Sequence, residues 1–271
     1  MADARGRLAP AQRKVADYFV EAGPATLLMS ASEIAEALAV SDATVVRTAQ
    51  ALGFTGLPEL RQALAVVAEE PTLAERLHRT LEHAGDTRDL LADAITGLLT
   101  SLDVLVQHVT PAAFARTVNL LADAEVVLWS GIGPSGSLAD YACTLTRRMG
   151  RRSLALTHSG VGAADDLLEV TSGAAVVVLA YGHVHAHVEA LLDRATACGA
   201  PVVLITDTLH EQLGARVAES LVTWRGTPGL FSSHATTLVL LEALILGVAG
   251  TTPELAEASL AELNALRGQV R

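Results

Sequence analysis

Apolar positions recur at helical spacing through the first 124 residues, then give way to short apolar runs separated by helical stretches. Pro10 suits the first turn of a helix whose stripe, Val15, Phe19 and Val20, ends at Ala22-Gly23-Pro24. Ser30 or Ser32 precedes Glu33, Ile34, Ala35 and Leu38, which predicts a second helix with a serine cap. After Ala39-Val40, Ser41 opens a third helix running through Leu52, which Gly53 stops. Leu57-Pro58-Glu59 begins a fourth, closed by Pro71. Further on, Leu90, Leu91, Ala94, Leu98, Leu102 and Leu105 recur at three- and four-residue steps, predicting a long amphipathic helix, and Pro111 begins another that ends near Ala122.

Five β-branched runs follow, at 126–130, 154–157, 175–181, 202–206 and 221–223. Helical stretches at 137–149, 184–198 and 209–217 lie between them, and two last helices cover 233–248 and 253–268. Fully apolar strands separated by helices imply a five-stranded parallel sheet flanked by helices on both faces. The expected organisation is an all-α domain over 1–70, a helical connector over 71–110, and an α/β domain over 111–271.

Composition changes this picture in three ways. A chain of 271 residues suits two domains, and with 51% hydrophobic and 18% charged residues it is not a disordered one. Two cysteines, Cys143 and Cys198, suggest neither a disulfide framework nor a zinc module. No apolar run near Met1 reads as a signal peptide, and the apolar stretch 238–248 is short and broken by Glu242, so the expectation is a cytoplasmic protein with no membrane partner. At first sight the net charge of −11 opposes nucleic acid; residues 1–70 hold six basic groups against nine acidic ones, which forecasts a weak non-specific electrostatic term.

The two short helices within 30–52 sit around a turn of about three residues, the geometry of a helix-turn-helix. On a wheel at about 100° per residue, Val45, Ala49 and Leu52 form the packing seam. Ala43, Arg47 and Gln50 project opposite, with Thr44 at the edge. Small residues allow close approach to DNA, Arg can pair with guanine and Gln with adenine, while Ser41 at the N-cap can meet a phosphate. Lys14 on the first helix and Arg61 on the fourth stand where phosphate clamps are useful. The residues Ser41, Ala43, Thr44, Val45, Arg47, Leu52, Gly53, Phe54, Gly56, Leu57, Glu59, Leu60 and Arg61 resemble the N-terminal domain of the RpiR family of bacterial transcriptional regulators. That family carries Ser-x-Ala-Thr-[Val/Ile]-x-Arg and then Leu-Gly-Phe-x-Gly-[Phe/Leu]-x-Glu-[Phe/Leu]-[Lys/Arg]. The chain departs from it at Thr48, where a larger apolar residue is usual, and at Gln50, which is often basic.

In the second half, strand 126–130 runs into Gly131-Ile132-Gly133-Pro134-Ser135-Gly136 and a helix. Such a turn gathers backbone N–H groups and a helix dipole where an anion binds well, although close packing alone also explains its glycines. It fits the dinucleotide pattern G-x-G-x-x-G, but strand 154–157 is followed by His158 rather than a ribose-binding acid, so no cofactor is expected. The stretch 128–150, and Gly199-Ala200-Pro201 running into a strand that ends Thr206-Asp207, resemble the SIS (sugar isomerase) domain with which RpiR regulators sense phosphosugars. The resemblance implies a homodimer or homotetramer, a double-stranded DNA operator and a small-molecule effector, a phosphosugar among the candidates. It departs at one place: the family's Ser-x-Ser-Gly-x-Thr phosphate loop reads Ala180-Tyr181-Gly182-His183-Val184-His185. Three hydroxyl donors are gone, and the imidazoles that replace them donate twice only when protonated, so anion binding here would depend on pH.

Candidate effector contacts are Gly131, Gly133, Ser135, Tyr181, Gly182, His183, His185, Ser232 and Ser233, the last two also caps for the following helix together with His234. His183, His185 and His187 would align on a strand, whereas on a helix only His183 and His187 share a face. Glu189 and His158 could approach them in space, but no nearby cysteine or carboxylate completes an obvious set, and no metal is expected. The reading is a non-enzymatic, DNA-binding regulator. Its alternatives are a sugar-phosphate isomerase-like enzyme, with Glu242 as the candidate acid or base, and a degenerate SIS domain used only for dimerisation.

Overall fold

The computed structural model describes residues 8–21, 26, 29–54, 56–57, 60, 72–84, 89–226 and 230–270. By backbone contacts the chain divides into two units, Met1–Asp93 with Gly226–Ser232, and Ala94–Arg225 with Ser233–Arg271.

In the first unit, α1 (Pro10–Glu21), α2 (Ala31–Leu38) and α3 (Asp42–Ala51) close on a small core of Val15, Phe19, Ile34, Ala35, Leu38, Val45 and Ala49, joined by Leu57 and Leu60. Of the two candidate caps, Ser30 takes the role. Its hydroxyl accepts from Glu33 N at 3.1 Å while the Glu33 carboxylate accepts from Ser30 N, a capping box. Ser32 instead donates its hydroxyl to Asp42, tying the start of α2 to the start of α3. The intervening turn is short because Ala39 adopts φ +50°, so that Ala39 N and Val40 N return to the carbonyls of Glu36 and Ala35. A further helix, α4 (Leu73–Ala84), leaves Leu73, Leu77 and Leu81 exposed. Most of the expected fourth helix, with Arg61, lies outside the described residues.

The second unit contains most of α5 (Leu90–His108), then α6 (Pro111–Asp123), β1 (Val126–Ser130), α7 (Pro134–Arg148), β2 (Ser153–Leu156), α8 (Gly162–Leu168), β3 (Ala174–Leu179), α9 (Ala186–Cys198), β4 (Val202–Thr206), α10 (His210–Leu213), a 3₁₀ turn (Gly214–Arg216), β5 (Glu219–Val222), α11 (Ala235–Thr251) and α12 (Pro253–Gln269). All five strands are parallel, in the order β2-β1-β3-β4-β5. Every residue of β3 and β4 is buried, which explains their unbroken apolar sequence. Val127, Trp129 and Val177 face one core with Leu121, Leu241 and Leu244; Leu128, Val176 and Val178 face the other with Val188, Leu192 and Leu204.

Several expected boundaries move. Helix 184–198 begins only at Ala186, leaving Val184 and His185 in the loop before it. Helix 209–217 divides into α10 and the 3₁₀ turn. Helix 233–248 begins at Ala235 and continues to Thr251. The helix α8 has no counterpart in the apolar pattern, because none of its residues is buried and there was no stripe to read. Among the described residues, α5 alone is by itself long and apolar enough to cross a membrane; it carries Asp93 and Asp103, and buries Ser101 and Leu105.

Candidate functional site

The first candidate site is the outer face of α3. Its packing seam is fixed by Val45, Thr48 and Ala49, all fully buried. Thr48 can occupy that position because its hydroxyl donates to Thr44 O at 2.7 Å, leaving the methyl to the core. Ala43, Arg47 and Gln50 are exposed on the far side and Thr44 is half-buried, as the wheel placed them. Ser41 caps the helix: its hydroxyl accepts from Thr44 N at 3.3 Å and lies 2.8 Å from Thr44 Oγ1. Arg47 Nε rests on Ala43 O at 3.1 Å, an intrahelical contact easily exchanged for another acceptor. Lys14 donates to Leu38 O at 2.6 Å, holding α1 to the end of α2. An ammonium has three donors, so this contact leaves two.

The second candidate site follows from sheet order. In a 2-1-3-4-5 sheet the order of winding reverses between β1 and β3, and in sheets of this kind ligands bind in a crevice beside the loops at the carboxyl ends of those two strands. The Gly131–Ser135 turn and the Tyr181–His185 loop are those two loops, since Ser130 of β1 pairs with Val178 of β3. Gly131 is required by packing: a Cβ there would lie 2.6 Å from the Ser135 carbonyl oxygen. Gly133, at φ +62°, precedes the first turn of α7, which has no side-chain cap.

On the β3 side, a polar network joins residues that the sequence had not connected. Arg225 donates to Asp207 Oδ2 through Nε at 2.9 Å and Nη2 at 2.6 Å. Asp207 Oδ1 accepts from Gly182 N at 3.0 Å and Thr208 N at 2.8 Å. The guanidinium also lies 4.4 Å above the Tyr181 ring. Tyr181 OH pairs with Thr237 Oγ1 at 2.9 Å, which in turn lies 3.4 Å from Thr223 Oγ1. Burial pushes the Tyr181 hydroxyl up to about 12, so it stays protonated.

Two backbone donors of the altered loop are engaged internally. Gly182 N is spent on Asp207, and His183 N donates to Tyr181 O at 2.9 Å. The rings of His183 and His185 are 4.0 Å apart and those of His185 and His187 5.6 Å. Burial, and then the neighbouring imidazole, hold His185 and His187 below the usual histidine range. Among the described residues, no three His, Cys, Asp or Glu side chains converge as a metal set. His158 is instead paired with Asp166 at 2.8 Å, which raises its pKa, and Glu189 with Arg216. Ser233 accepts from Ala235 N at 3.2 Å at the start of α11, and Ser232, in the first unit, accepts from Arg76 at 3.4 Å.

His234 packs edge-on against Tyr181, with ring centroids 5.1 Å apart and its Nδ1 buried without a partner among the described residues. Burial, with a further push from Arg225 and an opposing pull from Asp207, lowers its pKa from 6.5 to about 4. The unfolded chain takes up this proton at the ordinary value, so the stability contributed by neutral His234 is present above pH 6.5 and is lost as pH falls toward 4. His185 and His187 act in the same direction. We expect His234→Phe to flatten the fall of Tm across this window; an unchanged slope would assign it to other groups.

Fold and sites together define a two-part protein, a helix-turn-helix unit followed by an α/β unit built on a five-stranded parallel sheet. Residues 2–70 match the family model described as "Helix-turn-helix domain, rpiR family". Over its length the chain is 27% identical to the "Bifunctional protein glk" of Burkholderia thailandensis, covering 94% of this chain and 40% of that protein. The chain thus spans about two fifths of the first curated relatives it matches. It is 23% identical to the "Uncharacterized HTH-type transcriptional regulator YbbH" of Bacillus subtilis, covering 90% of this chain and 87% of that one. Among solved structures it is similar to the Vibrio vulnificus NanR protein complexed with ManNAc-6P, at 23% identity and TM-score 0.60, covering 97% of this chain and 95% of that one. It is also similar to the sugar isomerase domain of an RpiR transcription factor from Sphaerobacter thermophilus, at 22% identity and TM-score 0.58, covering 63% of this chain and 96% of that one.

Proposed function

We propose that the chain is a DNA-binding transcriptional regulator of the RpiR type, acting as a two-fold oligomer whose α/β unit senses a small anionic carbohydrate derivative. The observation that carries this reading is the capped α3 helix, which presents Ala43, Arg47 and Gln50 to solvent from a core fixed by Val45, Thr48 and Ala49. A sugar phosphate is the leading effector class, since the structurally similar NanR protein was solved with ManNAc-6P. The non-catalytic part of this reading rests on the state of the candidate acid or base, since Glu242 is engaged in accepting the Tyr141 hydroxyl at 2.6 Å.

The test has two arms. Mobility shift with the promoter of its own gene neighbourhood should give a specific complex at low salt; absence of one overturns the regulator assignment. Thermal shift with ManNAc-6P and other sugar phosphates should stabilise the protein, by about 2.7 kcal/mol at 100 times Kd. A flat response to all of them overturns the effector class, and turnover of any of them overturns the non-catalytic reading.

A further inference from the structure

The helix α12 is hardly anchored within its own unit. Of its 17 residues only Ala256 is buried, while Leu255 and Leu266 are 43% and 49% exposed. A helix of that length owes its stability mainly to packing of an apolar face, so a face this bare lacks a partner. Beside it run two adjoining hollows of about 500 and 670 Å³, bounded by α12 on one wall and by the end of α7 and the start of β2 on the other.

The α7–β2 wall is basic, and of the α12 carboxylates it is Glu262 that lines the hollows. In a chain of net charge −11, Arg147, Arg148, Arg151 and Arg152 stand together within six residues on the α7–β2 wall. Arg151 is committed to the carbonyls of Ala122 and Ala124, but Arg147, Arg148 and Arg152 have no ion-pair partner among the described residues. Favourable placement at the negative end of a helix accounts for Arg147 and Arg148 in the last turn of α7, and for neither Arg152 nor the leucines opposite. The helix α12 bears Glu254, Glu257 and Glu262 against a single Arg267, with Leu255, Leu263 and Leu266 toward the hollows.

We infer that this groove is a homodimer interface, in which the α12 of a second copy lies against the arginine wall and the two α12 helices pack across a two-fold axis. A two-fold contact uses one patch twice, so the patch must be complementary to itself. This one is: a basic wall, an acidic helix and leucines between them. A free polyanion fits less well, because Glu262 lines the same hollows, and the leucine row from Leu255 to Leu266 runs about 16 Å, the length of a helix face rather than of a small ligand. The inference specifies the surface for the two-fold oligomer proposed above and rests on that reading.

Sedimentation of the full chain tests it without DNA. Wild type is expected to be a dimer. The double variants Arg147→Glu/Arg148→Glu and Glu257→Arg/Glu262→Arg should each dissociate at least about 100-fold more readily. An equimolar mixture of the two should re-form a dimer, because both contacts then pair opposite charges. Leu266→Asp gives an independent disruption should either double variant lose its circular dichroism spectrum. A monomeric wild type, variants as dimeric as wild type, or a mixture that stays dissociated would each overturn the interface. Variants that remain dimeric and retain the promoter complex would overturn it alone, leaving the regulator reading intact.

Discussion

Arg47→Ala is expected to abolish the specific promoter complex while leaving the fold unchanged. Arg47 is exposed and, among the described residues, its hydrogen bond goes to Ala43 O within its own helix, so its removal should alter stability by no more than about 0.5 kcal/mol. A bidentate arginine–guanine pair carries about 1–3 kcal/mol of discrimination, and a two-fold dimer loses two of them. The expected loss in affinity is therefore about 30-fold to about 10⁴-fold. Lys14→Ala provides the contrast: without its ammonium on a phosphate, binding to every sequence should weaken alike and the salt slope should fall by about one per protomer. It should also loosen α1 from α2, because its ammonium holds Leu38 O. A promoter complex indifferent to Arg47→Ala would mean that α3 does not read the bases.

The weight on so few groups follows from charge. With six basic groups against nine acidic in residues 1–70, the first unit has little general attraction for a phosphate backbone. For the two-fold regulator proposed above, specific binding would then come from placed groups used twice, which links α3 to whatever surface holds two copies together.

The helix-turn-helix was legible because its signals are local. A serine cap, a glycine stop and a helical stripe each lie within one element, and the wheel that put Val45 and Ala49 inside needed no tertiary information. Thr48 escaped it because a polar residue reads as exposed unless its hydroxyl has an acceptor in its own helix, which Thr44 O supplies. The parallel sheet was equally legible, since β3 and β4 are buried on both faces and therefore apolar throughout.

The crevice was legible only in part. Sequence marked Gly131, Gly133, Tyr181 and Gly182, and strand order brings their two loops to one place. It gave no sign that Asp207 and Arg225, 18 residues apart, would close on Gly182, or that Tyr181 would meet Thr237 and His234 more than 50 residues on. Nothing in a single arginine after the last strand announces such a partner; it is found only when β3, β4 and β5 are laid side by side. The start of α9 was missed for a related reason: it lies two residues later than its apolar pattern suggested, which leaves Val184 and His185 in the loop.

That network fixes the loop after β3, and Asp207→Ala tests how much it contributes. Two backbone N–H groups on Oδ1 and two guanidinium N–H groups on Oδ2 converge on the Asp207 carboxylate, the kinds of donor with which proteins hold a phosphate. In this chain the Asp207 carboxylate occupies that cradle. Side chains of Asp207 and Arg225 are only 13% and 17% exposed, so truncation leaves a nearly buried guanidinium and two amides unpaired. The expected cost is about 2–4 kcal/mol, or a fall in Tm of roughly 5–15 °C. Inorganic phosphate should recover part of that loss in Asp207→Ala and leave wild type unmoved, since only the variant has an empty cradle. Asp207→Asn, which keeps an acceptor for the amides but loses the ion pair, should fall between the two. A destabilised Asp207→Ala that ignores phosphate would make the pair a structural clasp and nothing more, and would shift the search for the effector's anion to the Gly131–Ser135 turn across the crevice.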